Sequence, residues 1–413
     1  MQRQFDVQKC AYLPARRASR RVTDMMPYRI PYGRQNIDQA DIDAVMEVLK
    51  SPWLTQGPTI ERFERALADH CQAEHAVAVC NATAALHIAC LVAGLGPGDY
   101  LWTSPNTFVA SANCARYCGA DVDFVDIDPH TLNLDAKLLA EKLEVAEAAG
   151  KLPKVVIAVA FAGQSCDMRT LAQLSERYGF ILIEDAAHAV GASYLGRPVG
   201  CGQYAAMTIF SFHPVKVITS AEGGMVLTNN AEYAERLRRL RSHGITGDPA
   251  QMKVPETGLW YYQQLELGFN YRMSDLHAAL GLSQMARLDA FVAKRRQLAA
   301  RYSTLLAGLA VTLPAEQPGA GSAWHLYVVR LQLTRIKLSQ PQVFEALRAA
   351  GLGVNLHYIP VHLQPYYREQ GFKDGDFPQA ERYFAEAISL PLYPDLTDEQ
   401  QDEVVAHLGR ILG

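Results

Sequence analysis

Apolar and polar positions alternate along the chain with two periods. Ile42, Val45, Met46 and Leu49 recur at helical spacing after Asp38, a residue suited to cap a helix start. TIERFERALADHC carries the same period, and HAVAV (75–79) is a short apolar run that reads as a buried strand. NATAALHIACLVAGLG then predicts a helix that opens on small residues and stops at Gly94 or Gly96. Beyond it, YLWTS, VDFVDI, KVVIAVAF, FILIEDA, AAMTIFSF and GGMVLTNN read as strands. The stretches LDAKLLAEKLEVAEAAG and MRTLAQLSERYG read as helices between them. Strand–helix alternation requires crossover connections, so a largely parallel sheet covered on both faces is expected.

The rhythm changes later. One long helical zone is expected from about Ser274 to Leu309, followed by a Pro- and Gly-punctuated loop, LPAEQPGAGSA. AWHLYVVRLQL reads as a strand, QPQVFEALRAAG as a helix, and VNLHYIPVH as a strand leading into a proline. This predicts a large α/β unit over 27–312 and a smaller α+β unit over 313–413. There is no internal repeat.

Composition adds mainly exclusions. The 413 residues carry 39 basic and 43 acidic side chains, a balance that gives no support to nucleic-acid binding. No apolar run reaches the length of a membrane span. Of the eight cysteines none forms a C-x-x-C pair and no histidines gather around them, so buried reduced thiols are expected rather than a metal site. Residues 1–26 are rich in arginine without the apolar centre of a secretion signal; they read as a disordered extension, or as lying upstream of a start at Met25 or Met26. The expected compartment is the cytoplasm.

Four strand ends carry polar groups, where ligands of open α/β sheets bind. ILIEDAAHA places Glu184, Asp185 and His188 after an apolar run; the carboxylate of Asp185 could cap the next segment or hold a protonated ring nitrogen. SFHPVKVITSAEGG puts a single lysine, Lys216, past a strand. It is either a solvated charge or an amine made nucleophilic by desolvation. Together a carboxylate and such a lysine suit pyridoxal phosphate, which needs an amine for its Schiff base and a partner for its ring nitrogen. Ala82 and Thr83, in CNATAAL, lie at a helix start whose N–H groups either are simply capped or cradle a phosphate, and Ser211 offers a further hydroxyl. Phe108, past YLWTS, is equally suited to stack on a ring or to fill a core.

These stretches, with WLTQGP and LGFNYRMSDLHAALGLSQ, resemble the DegT-type nucleotide-sugar aminotransferases, fold-type-I pyridoxal phosphate enzymes, from about Tyr28 to the C-terminus. The resemblance implies a mostly parallel seven-stranded sheet between helices. It gives Lys216 the Schiff base and proton transfer, and Asp185 the pyridine nitrogen. His188 falls near the cofactor's phenolic oxygen, Ala82, Thr83 and Ser211 at its phosphate, and Phe108 on its ring. Asn270 would reach the phosphate from a neighbouring subunit, which implies a homodimer with shared sites. Tyr32, Pro52, Trp53, Leu54, Thr55, Asn355, Leu356, His357 and Tyr358 match substrate-contacting stretches.

SPWLTQGPT, SPNTFVASANCARYCGA, VNLHYIPVHLQPYY and AISLPLYP further resemble the pseudaminic acid branch of that family. That branch implies a UDP-linked 4-keto-6-deoxy-N-acetylhexosamine as acceptor and L-glutamate, leaving 2-oxoglutarate, as donor. Alternatives are a different nucleotide-linked 4-keto sugar, or a dehydratase on the same fold; dehydratases of that kind carry histidine where this chain has Lys216.

Overall fold

A computed structural model describes residues 28–254 and 258–413; the expected N-terminal extension lies outside the described residues. Seven strands form the main sheet: β1 (His75–Val79), β2 (Tyr100–Thr103), β3 (Asp121–Phe124), β4 (Val155–Val159), β5 (Ile181–Asp185), β6 (Met207–Ser211) and β7 (Gly224–Thr228). Their spatial order is β1-β7-β6-β5-β4-β2-β3. Only β7 runs against the others, pairing antiparallel with both β1 and β6. The reversal needs no crossover, because the Lys216 loop simply turns β6 back into β7.

Helices cover both faces: α1 (Gln39–Lys50), α2 (Pro58–Cys71), α3 (Ala82–Val92), α4 (Ala110–Tyr117), α5 (Ala136–Ala148), α6 (Met168–Tyr178), α7 (Ala231–Leu240), α8 (Asp275–Met285) and α9 (Leu288–Leu305). On one face Ala85, Ile88 and Ala89 of α3 and Leu237 of α7 pack on Val77, Ile157 and Ile183. Leu139, Leu143, Leu171 and Leu174 of α5 and α6 pack on Val156, Ala158 and Leu182 on another. Adjacent residues of β4 and β5 are thus buried on opposite sides, which is why these strands read as unbroken apolar runs.

The C-terminal part holds a three-stranded antiparallel sheet of β8 (Val311–Thr312), β9 (Tyr327–Leu331) and β10 (Ala387–Leu390), with β9 central. Val343, Leu347 and Leu408 from its helices pack there, joined by Ile30 from the other end of the chain and by Leu298 and Tyr302 of α9. We retain the division near residue 313 as a proposal about folding units.

The expected helical zone 274–309 is present as two helices, separated where Arg287 takes up a non-helical backbone (φ −112, ψ 1) and pairs with Asp38 and Asp41. Two expectations are corrected. VDFVDI stops being strand at Phe124; Asp126 instead accepts the N–H groups of Gln379 and Ala380 at 2.8 and 3.0 Å, capping the helix Pro378–Glu386. VNLHYIPVH is not a strand: Asn355 makes an isolated bridge to Ser389, and after Pro360, which lacks an N–H, the chain enters a 3-10 turn at Val361–Leu363.

Candidate active site

At the carboxyl ends of the parallel strands lies a cavity of about 430 Å³. Its floor comes from the β1–α3 turn. Asn81 caps α3, its side chain accepting from Ala84 N–H at 2.8 Å. The other first-turn N–H groups, on Ala82 and Thr83, have no partner within the helix, and both residues line the cavity. Gly224 begins β7 directly behind them: a Cβ there would sit 2.5 Å from the carbonyl carbon of Asn81 and 2.6 Å from Ala82 N. The glycine pair of AEGG therefore lets β7 pass close behind this turn. Ser211, the last residue of β6, lines the cavity beside it.

Asp185 and Lys216 share the cavity. Asp185 ends β5 and is 6% exposed. Its Oδ2 accepts from Ser111 Oγ at 2.6 Å and its Oδ1 from Ala187 N–H at 3.1 Å. Burial pushes its pKa up, while these two donors and the Lys216 charge oppose that. Lys216 is half-buried, held in a loop that folds back on itself: Lys216 N–H donates to His213 O at 2.9 Å, and Thr219 Oγ1 to Phe212 O at 2.9 Å. Desolvation lowers the lysine pKa to about 8 despite the attraction of Asp185. The loop thus presents Lys216 as a partly desolvated amine rather than a solvated charge.

The opposite wall is aromatic and uncharged. His188 Nδ1 accepts from Ala162 N–H at 3.3 Å, which leaves the ring proton on Nε2, 3.1 Å from Tyr358 Oη. The imidazole thus donates to the phenol, and the phenol's own proton is free to point into the cavity. Burial and the Lys216 charge hold His188 well below the usual histidine pKa, and burial raises that of Tyr358, so the pair stays neutral. His357 is likewise lowered to about 3, mainly by burial, and is held by Ser389 Oγ at 2.8 Å. The rings of Tyr32 and His357 lie 5.5 Å apart, and those of Phe108 and Tyr358 6.0 Å apart. Phe108 is 56% exposed, so it is not a core phenylalanine.

Thus Tyr32, Ala82, Thr83, Phe108, Asp185, His188, Ser211, Lys216, Asn355, Leu356, His357 and Tyr358 meet in one cavity. Pro52, Trp53, Leu54, Thr55 and Asn270 do not line it within a single chain. Thr55 bridges Ser274, and Asn270, exposed, bridges Ser242. Sequence reasoning missed Ser111, Thr107 and His325. His325 lies against His188 with the rings tilted by 47° and their centroids 4.4 Å apart, and its buried Nδ1 has no partner among the described residues. Its only signal was a polar residue inside AWHLYVVRLQL. A wider hollow of about 550 Å³, lined by Glu61, Arg65 and Arg238 among others, lies away from these strand ends.

The DegT/DnrJ/EryC1/StrS aminotransferase family model matches residues 35–409. The spore coat polysaccharide biosynthesis protein SpsC of Bacillus subtilis is 39% identical over 379 residues, covering 91% of this chain and 95% of its own. Spr1654 of Streptococcus pneumoniae, solved in PLP form, superposes with a TM-score of 0.83 at 30% identity, covering 93% of this chain and 98% of that one. PseC of Helicobacter pylori, an aminotransferase involved in the biosynthesis of pseudoaminic acid, gives a TM-score of 0.84 at 27% identity, covering 93% and 99%. With a match spanning the sheet, the cavity and the C-terminal strands alike, the chain belongs to the DegT/DnrJ/EryC1/StrS aminotransferase family.

Proposed function

We propose that the protein is a pyridoxal phosphate-dependent aminotransferase that moves the amino group of L-glutamate to C4 of a UDP-linked 4-keto-6-deoxy-N-acetylhexosamine, within pseudaminic acid synthesis. The observation that carries the reading is the convergence of Lys216, Asp185, Ser211 and the α3 N-terminus in one cavity, facing a neutral aromatic wall. The fit to the cofactor is chemical: a lysine of lowered pKa for an aldehyde, a buried carboxylate for a ring nitrogen, and a helix N-terminus for a phosphate.

When bound, pyridoxal phosphate supplies an electron sink for breaking a C–H bond beside the nitrogen being moved. Asp185 would keep a facing ring nitrogen protonated. Thr83, Ser211 and the first-turn N–H groups of α3 would hold the phosphate. Phe108, exposed at the cavity wall, would lie against the ring. Lys216, neutral in an appreciable fraction near pH 8, takes a proton from the substrate carbon that bears nitrogen and returns one to the carbon that receives it. The wall of Tyr32, His357 and Tyr358 suits a pyranose: rings for its apolar face and uncharged donors for its oxygens.

The sugar assignment draws on the motifs shared with the pseudaminic acid branch and on the likeness to PseC. A different nucleotide-linked 4-keto sugar is a second reading, favoured by the higher identity to SpsC. Lys216 speaks against a dehydratase. We further propose a homodimer in which Asn270 and the Pro52–Thr55 run complete the partner's site; both lie outside the cavity of their own chain, and Trp53 is 54% exposed. The cytoplasm is the proposed compartment; the seven described cysteines are free thiols, and no described helix is long and apolar enough to cross a membrane.

The test is to offer UDP-4-keto-6-deoxy-N-acetylhexosamines of the β-L-arabino and D-xylo series with glutamate, and to identify the amino sugar and 2-oxoglutarate formed. Amination of the β-L-arabino compound is expected. Amination of the D-xylo compound alone would move the protein to another sugar.

A further inference from the structure

The Asp185 carboxylate is held by a chain of hydroxyls that the catalytic reading does not use. Ser111, fully buried on α4, donates to Asp185 Oδ2 at 2.6 Å. Thr107 Oγ1, 2% exposed, lies 2.7 Å from Ser111 Oγ. A hydroxyl has one proton to give, and an ionised carboxylate has none. The Ser111 proton is therefore committed to Asp185, and Thr107 must donate to Ser111. The chain runs one way, Thr107 to Ser111 to Asp185. Ala187 N–H donates to the other carboxylate oxygen at 3.1 Å. Each oxygen thus has a fixed donor, which sets the plane of the carboxylate as well as its charge.

A buried carboxylate is costly to ionise, and hydrogen bonds to its charged form offset that cost. Of the two donors, Ala187 is a main-chain group bound to the turn after β5. Ser111 is the side-chain donor, and it comes from a separate element.

We propose that Ser111, oriented by Thr107, is a positioning residue that keeps Asp185 ionised and aimed into the cavity, and thereby sets how strongly the site prefers a ring with a basic nitrogen over one without. This rests on the cofactor reading above. An ionised carboxylate rewards a protonated ring nitrogen; a protonated or rotated one does not.

The test compares the affinity of the full-length protein, stripped of cofactor, for pyridoxal phosphate and for its 1-carba isostere, in which the ring nitrogen is replaced by C–H. Both aldehydes can react with Lys216, so the ratio of their dissociation constants isolates the Asp185 contribution. Wild type is expected to prefer pyridoxal phosphate. Ser111→Ala should cut that preference by about 10-fold or more, the size of a hydrogen bond to a charged group. Thr107→Val, which leaves the Ser111 side chain in place, should cut it by less, and it decides the matter should Ser111→Ala fail to fold. Unchanged preference in the variants, or equal weakening for both ligands, overturns the proposal by making the role purely structural. A wild type that binds both aldehydes equally also overturns it while leaving Lys216 in place; a wild type that binds neither overturns the cofactor reading itself.

Discussion

Glu184 and Asp185 are neighbours on β5, and both are buried carboxylates, yet they face opposite sides of the sheet. Asp185 looks into the large cavity with Lys216, and Ser111 and Ala187 supply its donors. Glu184 looks into a pocket of about 20 Å³ bounded by Ser165, Tyr194 and Thr208. It accepts from Ser165 Oγ at 2.7 Å, and burial pushes its pKa up to about 7. Burial and a perturbed pKa are thus common to both; room for a ligand and a facing amine belong to one. A shifted carboxylate marks a candidate site, and what it faces assigns the role.

Substitution should separate the two faces sharply. Asp185→Asn is expected to lower kcat/KM by about 10²-fold or more, since the ring nitrogen loses its charged partner and general acid–base steps depend on it. Glu184→Gln, which keeps the Ser165 contact, should stay within about threefold. Steady-state kinetics on both variants measures this, and equal losses would erase the distinction between the faces.

The cavity side has a gradient of its own. Tyr358→Phe removes the phenol that His188 donates to and that offers its own proton inward. KM for the sugar should rise about 2- to 10-fold, the range of a net neutral hydrogen bond, with kcat less affected. A fall in kcat with unchanged KM would instead assign the phenol to the chemical step.

The smallest effect concerns the back face alone. Glu184 holds its proton more tightly folded than unfolded, so between the ordinary carboxylate range and about pH 7 the folded chain binds more protons. Stability must then fall as pH rises through that window and level off above it, by on the order of 3 kcal/mol at most. Urea midpoints at pH 5 and pH 8 should differ less for Glu184→Gln than for wild type. An identical pH dependence would mean that Glu184 ionises normally.

Much of this was legible because strand ends carry short-range signals. ILIED, TIF followed by a lone lysine, and NATAAL each combine an apolar run with the polar residue that ends it, so Asp185, Lys216 and Thr83 could be found one segment at a time. Ser111 could not: it sits in a helix where a small polar residue is unremarked, and only the packing of α4 onto the sheet brings it to Asp185. His325 was hidden within a strand-like run for the same reason. VNLHYIPVH misled because β-branched and aromatic residues fit a cavity wall as well as a strand, and Pro360 was the signal against pairing. Asn270 and Trp53 were named by resemblance alone; in one chain both are exposed, and the proposed homodimer is what would give them a place at a site.

The most direct test concerns the covalent tether. The purified protein is incubated with pyridoxal phosphate, reduced with borohydride and digested, and the pyridoxyl-bearing peptide is identified by mass, with Lys216→Ala as control. The account predicts a single label on Lys216 that disappears in the variant. A label on another lysine, or none, would contradict it.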